Sequence, residues 1–407
     1  MKKILLIGYK ESLVKKILNQ KSKVICLIDD FDDPDFLPSI RENEERIRVK
    51  DTANDFFILT KLLIEGHYTF DAVISPFEFT QFNAAFLAEF YNCPTPGIEV
   101  ISRFRDKALQ KKSLSNKIKY ANYSEINNNK LPSEFPIVIK PSSGTGTFQT
   151  HKIKDKTEYL KIIDSIEENT NRFTTVLAEQ FIEGDEYYVD GWIENYKIQR
   201  FSISKYLSPL INIHRGKLLQ GITLDTNNYQ KFYQKVKRFL EIVLTDLGLN
   251  NSFFHLEFFL DFENNIIFGE CGSRIGGNMT EANFYYHFNI DLDQVILNLS
   301  LGEKNNLNTN KNISKLTGFT VLPTPDNFTH NSRLPQIREL KLKFPEIISV
   351  RYDWITGMDI PDHTSSTSDR LGMVLVSGLS EENIKNSLLS IIEYFESFYK
   401  EGENAYE

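Results

Sequence analysis

Alternating apolar and polar blocks divide the first hundred positions into strands and helices. KKILLIG reads as a buried strand, ESLVKKILNQ as an amphipathic helix and KVICLID as a second strand. FFILTKLLIEG follows as a helix, DAVISP as a further strand and NAAFLAEFYN as a helix, closed by the Pro-rich break CPTPG. This βαβ rhythm predicts a parallel sheet covered by helices. The first strand–helix junction, GYKES, has one glycine where a dinucleotide fingerprint needs GxGxxG. Asp29 and Asp30 lie at about the distance of a ribose-binding acid, yet without the glycines the pattern reads as a Rossmann-like scaffold that binds no dinucleotide.

Further along, SRFRDKALQKK predicts a helix over 102–112, followed by the Asn-rich loop INNNKLP. EFPIVIKP is a buried strand, and TTVLAEQFIEGDEYYVDGW predicts two strands broken at Gly184. The polar stretch EKNNLNTNKNIS reads as a linker or loop. The remaining residues predict a smaller α+β unit, with strands near 317–322, 347–353 and 372–377 and a final helix, EENIKNSLLSIIEYFESFYKE. No internal repeat is present.

Composition narrows the function classes. A chain of 407 residues predicts two or three domains, and 41 % hydrophobic with 25 % charged residues is ordinary for a soluble protein. The net charge of −8 argues against nucleic acid as the main partner, since phosphate backbones need a basic surface. No stretch approaches the ~18 apolar residues of a membrane span. The apolar run Ile4–Ile7 at the start is too short for a secretory signal. Cys26, Cys93 and Cys271 are far apart and form no CxxC, so reduced thiols and a cytoplasmic location are expected, without a zinc site.

The candidate chemistry concentrates in HLEFFLDFENNIIFGECGSRIGGN, residues 255–278. Folded as a hairpin about Glu263–Asn264, Glu257 faces Glu270. Two like charges ~4 Å apart repel by roughly 4 kcal/mol at an effective dielectric near 20, so the pair predicts a cation between them. A divalent metal with oxygen ligands, Mg²⁺ beside phosphates, fits that need. His255 shares the face of Glu257 and could orient a ligand. Arg274 adds a planar fork suited to carboxylate or phosphate. Upstream, Lys140 ends a strand ahead of Ser142, Ser143, Gly144, Thr145, Gly146 and Thr147, a loop whose N–H groups can close on an anion, although it is no Walker A sequence. Around Gly184, acidic residues suggest either a solvated turn or a hinge whose backbone meets a purine and whose carboxylate takes ribose hydroxyls.

In this order, the lysine of RDK, VIKP with its glycine loop, E-x-F-I-x-G-x-E and the Glu…Glu-x-x-x-Arg hairpin resemble the ATP-grasp superfamily of carboxylate–amine ligases, over about Asp106 to Asn278. The resemblance implies an α/β and α+β multidomain fold. A Rossmann-like pre-ATP-grasp domain would occupy 1–97, an ATP-grasp domain 98–308 with a lid over about 115–182, and a small C-terminal α+β lobe 309–407. It implies that Lys107 and Lys140 hold the phosphates of ATP and that Ser142, Ser143, Gly144, Thr145 and Gly146 form the mobile loop over them. Glu179, Gln180, Phe181 and Ile182 would form the adenine hinge, and Glu186 would bind ribose. Glu257 and Glu270 would ligate Mg²⁺, or Mn²⁺ in its place, and Arg274 would act at the transfer centre.

Many members have Asn two residues after the second glutamate, where this chain has Gly272. The run Glu270, Arg274, Gly276, Asn278 and the HxE of His255–Glu257 are similar instead to bacterial L-amino acid ligases that make dipeptides. That similarity places Glu78, His255, Arg274, Gly276, Gly277 and Asn278 toward the substrates, with Glu78 at the amino group of the first amino acid. The implied reaction joins two amino acids with ATP to give dipeptide, ADP and phosphate. A ligase for a non-peptide metabolite and a biotin-carboxylase-like enzyme are the alternatives, although no carrier-like segment is present. By analogy the protein is expected to be a homodimer acting on small molecules.

Overall fold

The structure is a computed structural model that describes residues 1–126, 132, 134–169, 175–305 and 313–400. The first apolar runs form β1 (Lys3–Ile7) and β2 (Lys23–Ile28) around α1 (Glu11–Asn19). They are followed by β3 (Glu44–Arg48), α2 (Phe56–Glu65), β4 (Ala72–Ile74) and α3 (Gln81–Phe90). The four strands pair in parallel in the order β3-β2-β1-β4. β3 reads EERIR, a charged edge strand without an apolar run, so hydrophobic periodicity does not reveal it. Gly8 closes β1 at φ +93°, and a Cβ there would lie 2.6 Å from the Phe77 ring. That close approach accounts for the lone glycine of GYKES without any phosphate.

The helix expected over 102–112 is two helices, α4 (Ile98–Arg105) and α5 (Lys107–Ser113). Asp106 between them is extended, and its side chain accepts the Leu109 N–H at 2.8 Å, capping α5. The cap outweighs the helical periodicity and makes Lys107 the first residue of a new helix.

A short strand, β5 (Lys119–Tyr120), precedes a small antiparallel sheet of β6 (Tyr123–Glu125), β7 (Ile137–Pro141), β8 (His151–Ile153) and β9 (Val176–Gln180). Its order is β6-β9-β7-β8, and α6 (Lys156–Asn169) packs on it through Tyr159 and Ile163. The chain then builds β10 (Asp185–Glu194), β11 (Lys197–Tyr206), β12 (Gln220–Thr223), α7 (Gln230–Leu247), β13 (Ser252–Leu260) and β14 (Ile266–Gly272). After α8 (Thr280–Phe288) and α9 (Leu292–Ser300) come β15 (Leu316–Val321), α10 (Ile337–Lys343), β16 (Ile347–Tyr352), β17 (Gly372–Gly378) and α11 (Glu381–Lys400).

One nine-stranded sheet runs β16-β17-β15-β12-β11-β10-β13-β14-β5. The buried stripe of α7, including Val236, Leu240, Val243 and Leu247, covers Trp192, Phe254 and Phe258 of this sheet. The C-terminal strands continue the same sheet, because β15 pairs with β12. Its far end has a second core around Trp354, Leu388 and Phe395, under α11. The expected boundary at 308–309 and the Asn-rich loop at 127–131 lie outside the described residues. No helix among the described residues is long and apolar enough to cross a membrane.

Candidate active site

β13 and β14 place Glu257 directly opposite Glu270. The route to that register differs from a hairpin centred on Glu263–Asn264. The turn spans Asp261–Asn265, with Asp261 N–H donating to Asn265 O and Asn264 N–H to Asp261 O. It pairs Phe258 with Phe268, and one extra residue on β14, Gly269, then shifts the ladder so that Glu257 meets Glu270. A Cβ on Gly269 would come within 2.9 Å of Glu257 O, so the bulge needs glycine. Turn and bulge offset each other, leaving the facing pair that simple counting predicts.

The sheet orients the surroundings of Glu257. Tyr206 OH donates to Glu257 Oε1 at 2.9 Å, and His255 Nε2 lies 3.3 Å from the same oxygen. His255 Nδ1 lies 2.8 Å from Asp190 Oδ1, and Thr280 Oγ1 donates to Asp190 Oδ2 at 2.8 Å. Burial alone would lower the pKa of His255, but Asp190 and then Glu257 hold it up at about 9, so the ring is an imidazolium between two carboxylates. A Cβ on Gly276 would sit 2.1 Å from Asp190 Oδ1 and 2.8 Å from His255 Nδ1. Gly276 therefore serves this close packing from beneath. Gly277 faces open space, and Asn278 Nδ2 donates to Tyr206 OH at 3.1 Å.

Both predicted lysines reach this face. Lys107 Nζ lies 3.3 Å from Glu270 Oε2 and donates to Gly144 O at 2.7 Å, tying α5 to the glycine loop. Lys140 Nζ lies 3.0 Å from Glu179 Oε2, whose other oxygen is 2.7 Å from Lys111 Nζ. In the segment expected as the adenine hinge, Glu179–Ile182, the side chain of the first member is thus taken by two lysines. Burial would raise the Glu179 pKa, but Lys140 and Lys111 hold it at about 2, so its carboxylate is a buried anion joining two ammonium groups. The N–H groups of Gln180 and Phe181 are also taken, by Asn122 O at 2.8 Å and Pro136 O at 3.1 Å. The Phe181 ring packs under Lys152, whose Nζ is 3.4 Å from the ring centroid. Lys111, missed in the sequence, is one helical turn from Lys107, and that i,i+4 spacing is the signal that could have found it.

Glu78, expected toward the first amino acid, lines the same cavity as Glu257 and Glu270. Its Oε2 accepts from Arg274 Nε at 2.6 Å and from Thr145 Oγ1 at 3.1 Å, while Oε1 accepts from Arg105 at 2.7 Å. Burial would raise its pKa, but Arg274, Arg105 and Lys107 hold it well below the usual carboxylate range. Both oxygens are thus engaged by protein groups, Arg274 nearest at 2.6 Å. Arg105 also donates to Ser143 O at 2.7 Å. The slot expected for Asn at Gly272 borders this pair, since a Cβ there would lie 3.6 Å from Arg274 and 3.9 Å from the Glu78 carboxyl carbon.

Glu78, Lys107, Lys140, Glu257, Glu270 and Arg274 line one cavity of about 2420 Å³. Glu186 is buried in its wall and accepts the Leu210 N–H at 2.8 Å. Burial, then repulsion from Glu257, push its pKa up to about 8. Gly146 and Thr147 of the glycine loop are pinned from the far side. Thr367 N–H and Ser366 Oγ donate to Gly146 O at 2.9 and 3.0 Å, and His214 Nε2 lies 3.2 Å from Thr147 O.

The donor set fits a hard divalent cation. Two carboxylates oppose each other on one face, and among the described residues no third acidic, His or Cys side chain joins them in a closed cage. Mg²⁺ is usually held this way, by one or two carboxylates with water and phosphate oxygens completing its shell.

Residues 133–282 match the family model of the ATP-grasp domain. The chain carries an ATP-grasp domain over that stretch. Over 361 residues, covering 86 % of this chain and 85 % of the relative, it is 26 % identical to an L-arginine-specific L-amino acid ligase of Bacillus subtilis. The fold is similar to the crystal structure of an L-amino acid ligase from Bacillus licheniformis, with TM-score 0.74 and 19 % identity over 97 % of both chains. It is also similar to a carboxyaminoimidazole ribonucleotide synthase from Aspergillus clavatus complexed with ATP, with TM-score 0.72 and 14 % identity, covering 97 % of this chain and 99 % of that one. In this chain the facing glutamates, the two lysines and the glycine loop converge on the cavity between the small and the nine-stranded sheets.

Proposed function

We propose that the protein is an ADP-forming ligase that activates the carboxylate of one L-amino acid with ATP and joins it to the amine of a second, giving a dipeptide. The observation that carries this reading is the facing pair Glu257–Glu270 beside Lys107, Lys140 and the Glu78–Arg274 ion pair, all on one cavity.

A substrate carboxylate oxygen attacks the γ-phosphorus and the bond to ADP breaks, leaving an acyl phosphate. The amine nitrogen of the second substrate attacks the acyl carbon, the bond to phosphate breaks, and the nitrogen loses a proton. Phosphoryl transfer calls for alignment and charge neutralisation more than covalent help. Lys107 and Lys140 supply fixed positive charge at the phosphates. Glu257 and Glu270 would hold Mg²⁺, which when bound neutralises phosphate charge. Arg274, oriented by Glu78, stabilises the oxygens that gain negative charge at the acyl centre. The backbone of the hinge ending at Ile182 meets the adenine, and Glu186 takes the ribose hydroxyls. The loop Ser142–Gly146 excludes water from the acyl phosphate.

The test is a panel of amino acid pairs with ATP and Mg²⁺, L-arginine among them, reading nucleotide product, phosphate and product mass. ADP, phosphate and a dipeptide mass are expected. Glu270→Gln should abolish turnover while the melting temperature is kept. AMP in place of ADP, or no phosphate with any pair, would overturn the reading. We also carry a homodimer as a proposal, measurable by light scattering.

A further inference from the structure

Elsewhere on the same cavity cationic charge exceeds anionic charge. Asp353 follows β16, and one carboxylate there serves two guanidiniums. Arg351 Nε lies 2.7 Å from Asp353 Oδ1 and its Nη2 3.1 Å from Oδ2, while Arg370 Nε lies 2.8 Å from Oδ2. Arg370 Nη1 donates to Thr367 O at 2.6 Å, and Arg351 Nη2 also touches Met373 Sδ at 3.3 Å. Among the described residues no second carboxylate pairs with either arginine. Asp369, next in sequence to Arg370, accepts from Ser365 Oγ and Asp362 N–H, both at 3.1 Å, and belongs to its own loop. The Arg370 side chain is 12 % exposed and that of Arg351 40 %, so one positive charge is left over, desolvated on the Arg370 side. Burial, offset only in part by Asp353, holds Arg370 below its ordinary range.

The position is as informative as the charge. Arg351, Asp353 and Arg370 all line the cavity. The loop that ends at Arg370 is the one whose Ser366 and Thr367 bond Gly146 of the glycine loop. An anion held here would therefore lie beside the Gly146 end of that loop, whose Gly144 end is met by Lys107. The planar fork of arginine suits a carboxylate.

We propose that Arg351 and Arg370 form the subsite for the carboxylate of the amine-donating substrate. This rests on the ligase reading and deepens it. It makes the second substrate an amino acid and excludes an amine without a carboxylate.

The experiment uses the full chain with ATP, Mg²⁺ and a fixed first amino acid. The acceptor is varied among an L-amino acid, its α-amide and its decarboxylated amine. The wild type should use the amino acid with kcat/KM about 30-fold or more above the amide, the scale of a buried charge contact. Arg370→Met and Arg351→Met should raise the acceptor KM by a similar factor. KM for ATP should stay within about twofold, and the amide rate should hardly move. Arg370→Lys keeps the charge, guards against a misfolded variant and should recover part of the preference. The inference is overturned if the wild type uses the amide as well as the acid, or if KM for ATP or the first amino acid rises instead. It is also overturned if the variants lose amide and acid turnover in parallel, as a purely structural triad would. Phosphate release with the amide as fast as with the acid leaves the ligase reading intact, whereas no amine-dependent phosphate with any acceptor removes that reading itself.

Discussion

Glu78 and Arg274, 196 residues apart in sequence, meet through a 2.6 Å bond inside the cavity wall. The second oxygen of Glu78 holds Arg105, so one carboxylate orients two guanidiniums beside the glycine loop. Glu78→Gln keeps the shape and removes the charge. Steady-state ADP formation should fall about 10²-fold, the scale of losing one oriented electrostatic group at a reacting centre, with little change in KM for ATP. A variant with unchanged kcat would leave Arg274 oriented by something else.

Lys111 is 1 % exposed and shares Glu179 with Lys140. It stands on α5 while its partners stand on the small sheet, so the triad joins that sheet to the body. In Lys111→Met, Glu179 should swing fully onto Lys140 and draw it from the phosphates. KM for ATP should rise at least tenfold, and stability should fall by up to about 3–5 kcal/mol, read from a denaturant midpoint. Lys111→Arg should recover much of the stability.

His214 bridges the glycine loop and the C-terminal lobe, with Nδ1 2.8 Å from Thr364 O and Nε2 3.2 Å from Thr147 O. Replacing it with Phe keeps the ring and removes its polar contacts to the two carbonyls. The loop should then close less well over the acyl phosphate, and water should compete with the amine. The ratio of amine-independent to amine-dependent phosphate release should rise about tenfold. An unchanged ratio would show that the bridge does not matter for closure.

His287 is buried on α8, with Nε2 3.2 Å from Thr317 Oγ1, and burial lowers its pKa to about 4 from 6.5. The unfolded chain takes up the proton first as pH falls. The contribution of His287 to stability is therefore complete above pH 6.5 and is lost between pH 6.5 and 4, with a slope of at most about 1.4 kcal/mol per pH unit. Urea midpoints across that window should fall less steeply in His287→Gln than in wild type.

Much of the fold was legible because local patterns carry it. The apolar runs of β1, β2, β4 and β7 and the stripe of α11 stand out by periodicity alone. The misses have physical causes. β3 is a charged edge strand. The 102–112 helix breaks because the side chain of Asp106 bonds the Leu109 N–H. In the site, the facing glutamates could be counted out along the chain, yet the count succeeded only because the turn and the Gly269 bulge offset each other.

The residue types and their order determined, without a structure, that two carboxylates face each other across a hairpin and that lysines and a glycine loop precede them. Those statements need only side-chain charge, strand alternation and glycine. Which charges pair across the molecule was decided by the tertiary structure alone. Glu179 went to two lysines, Glu78 to two arginines and Asp353 to Arg370 as well as to its neighbour Arg351. The reason is that a buried charge must be met by whatever opposite charge the packing of distant elements brings near. No local pattern records which one that will be.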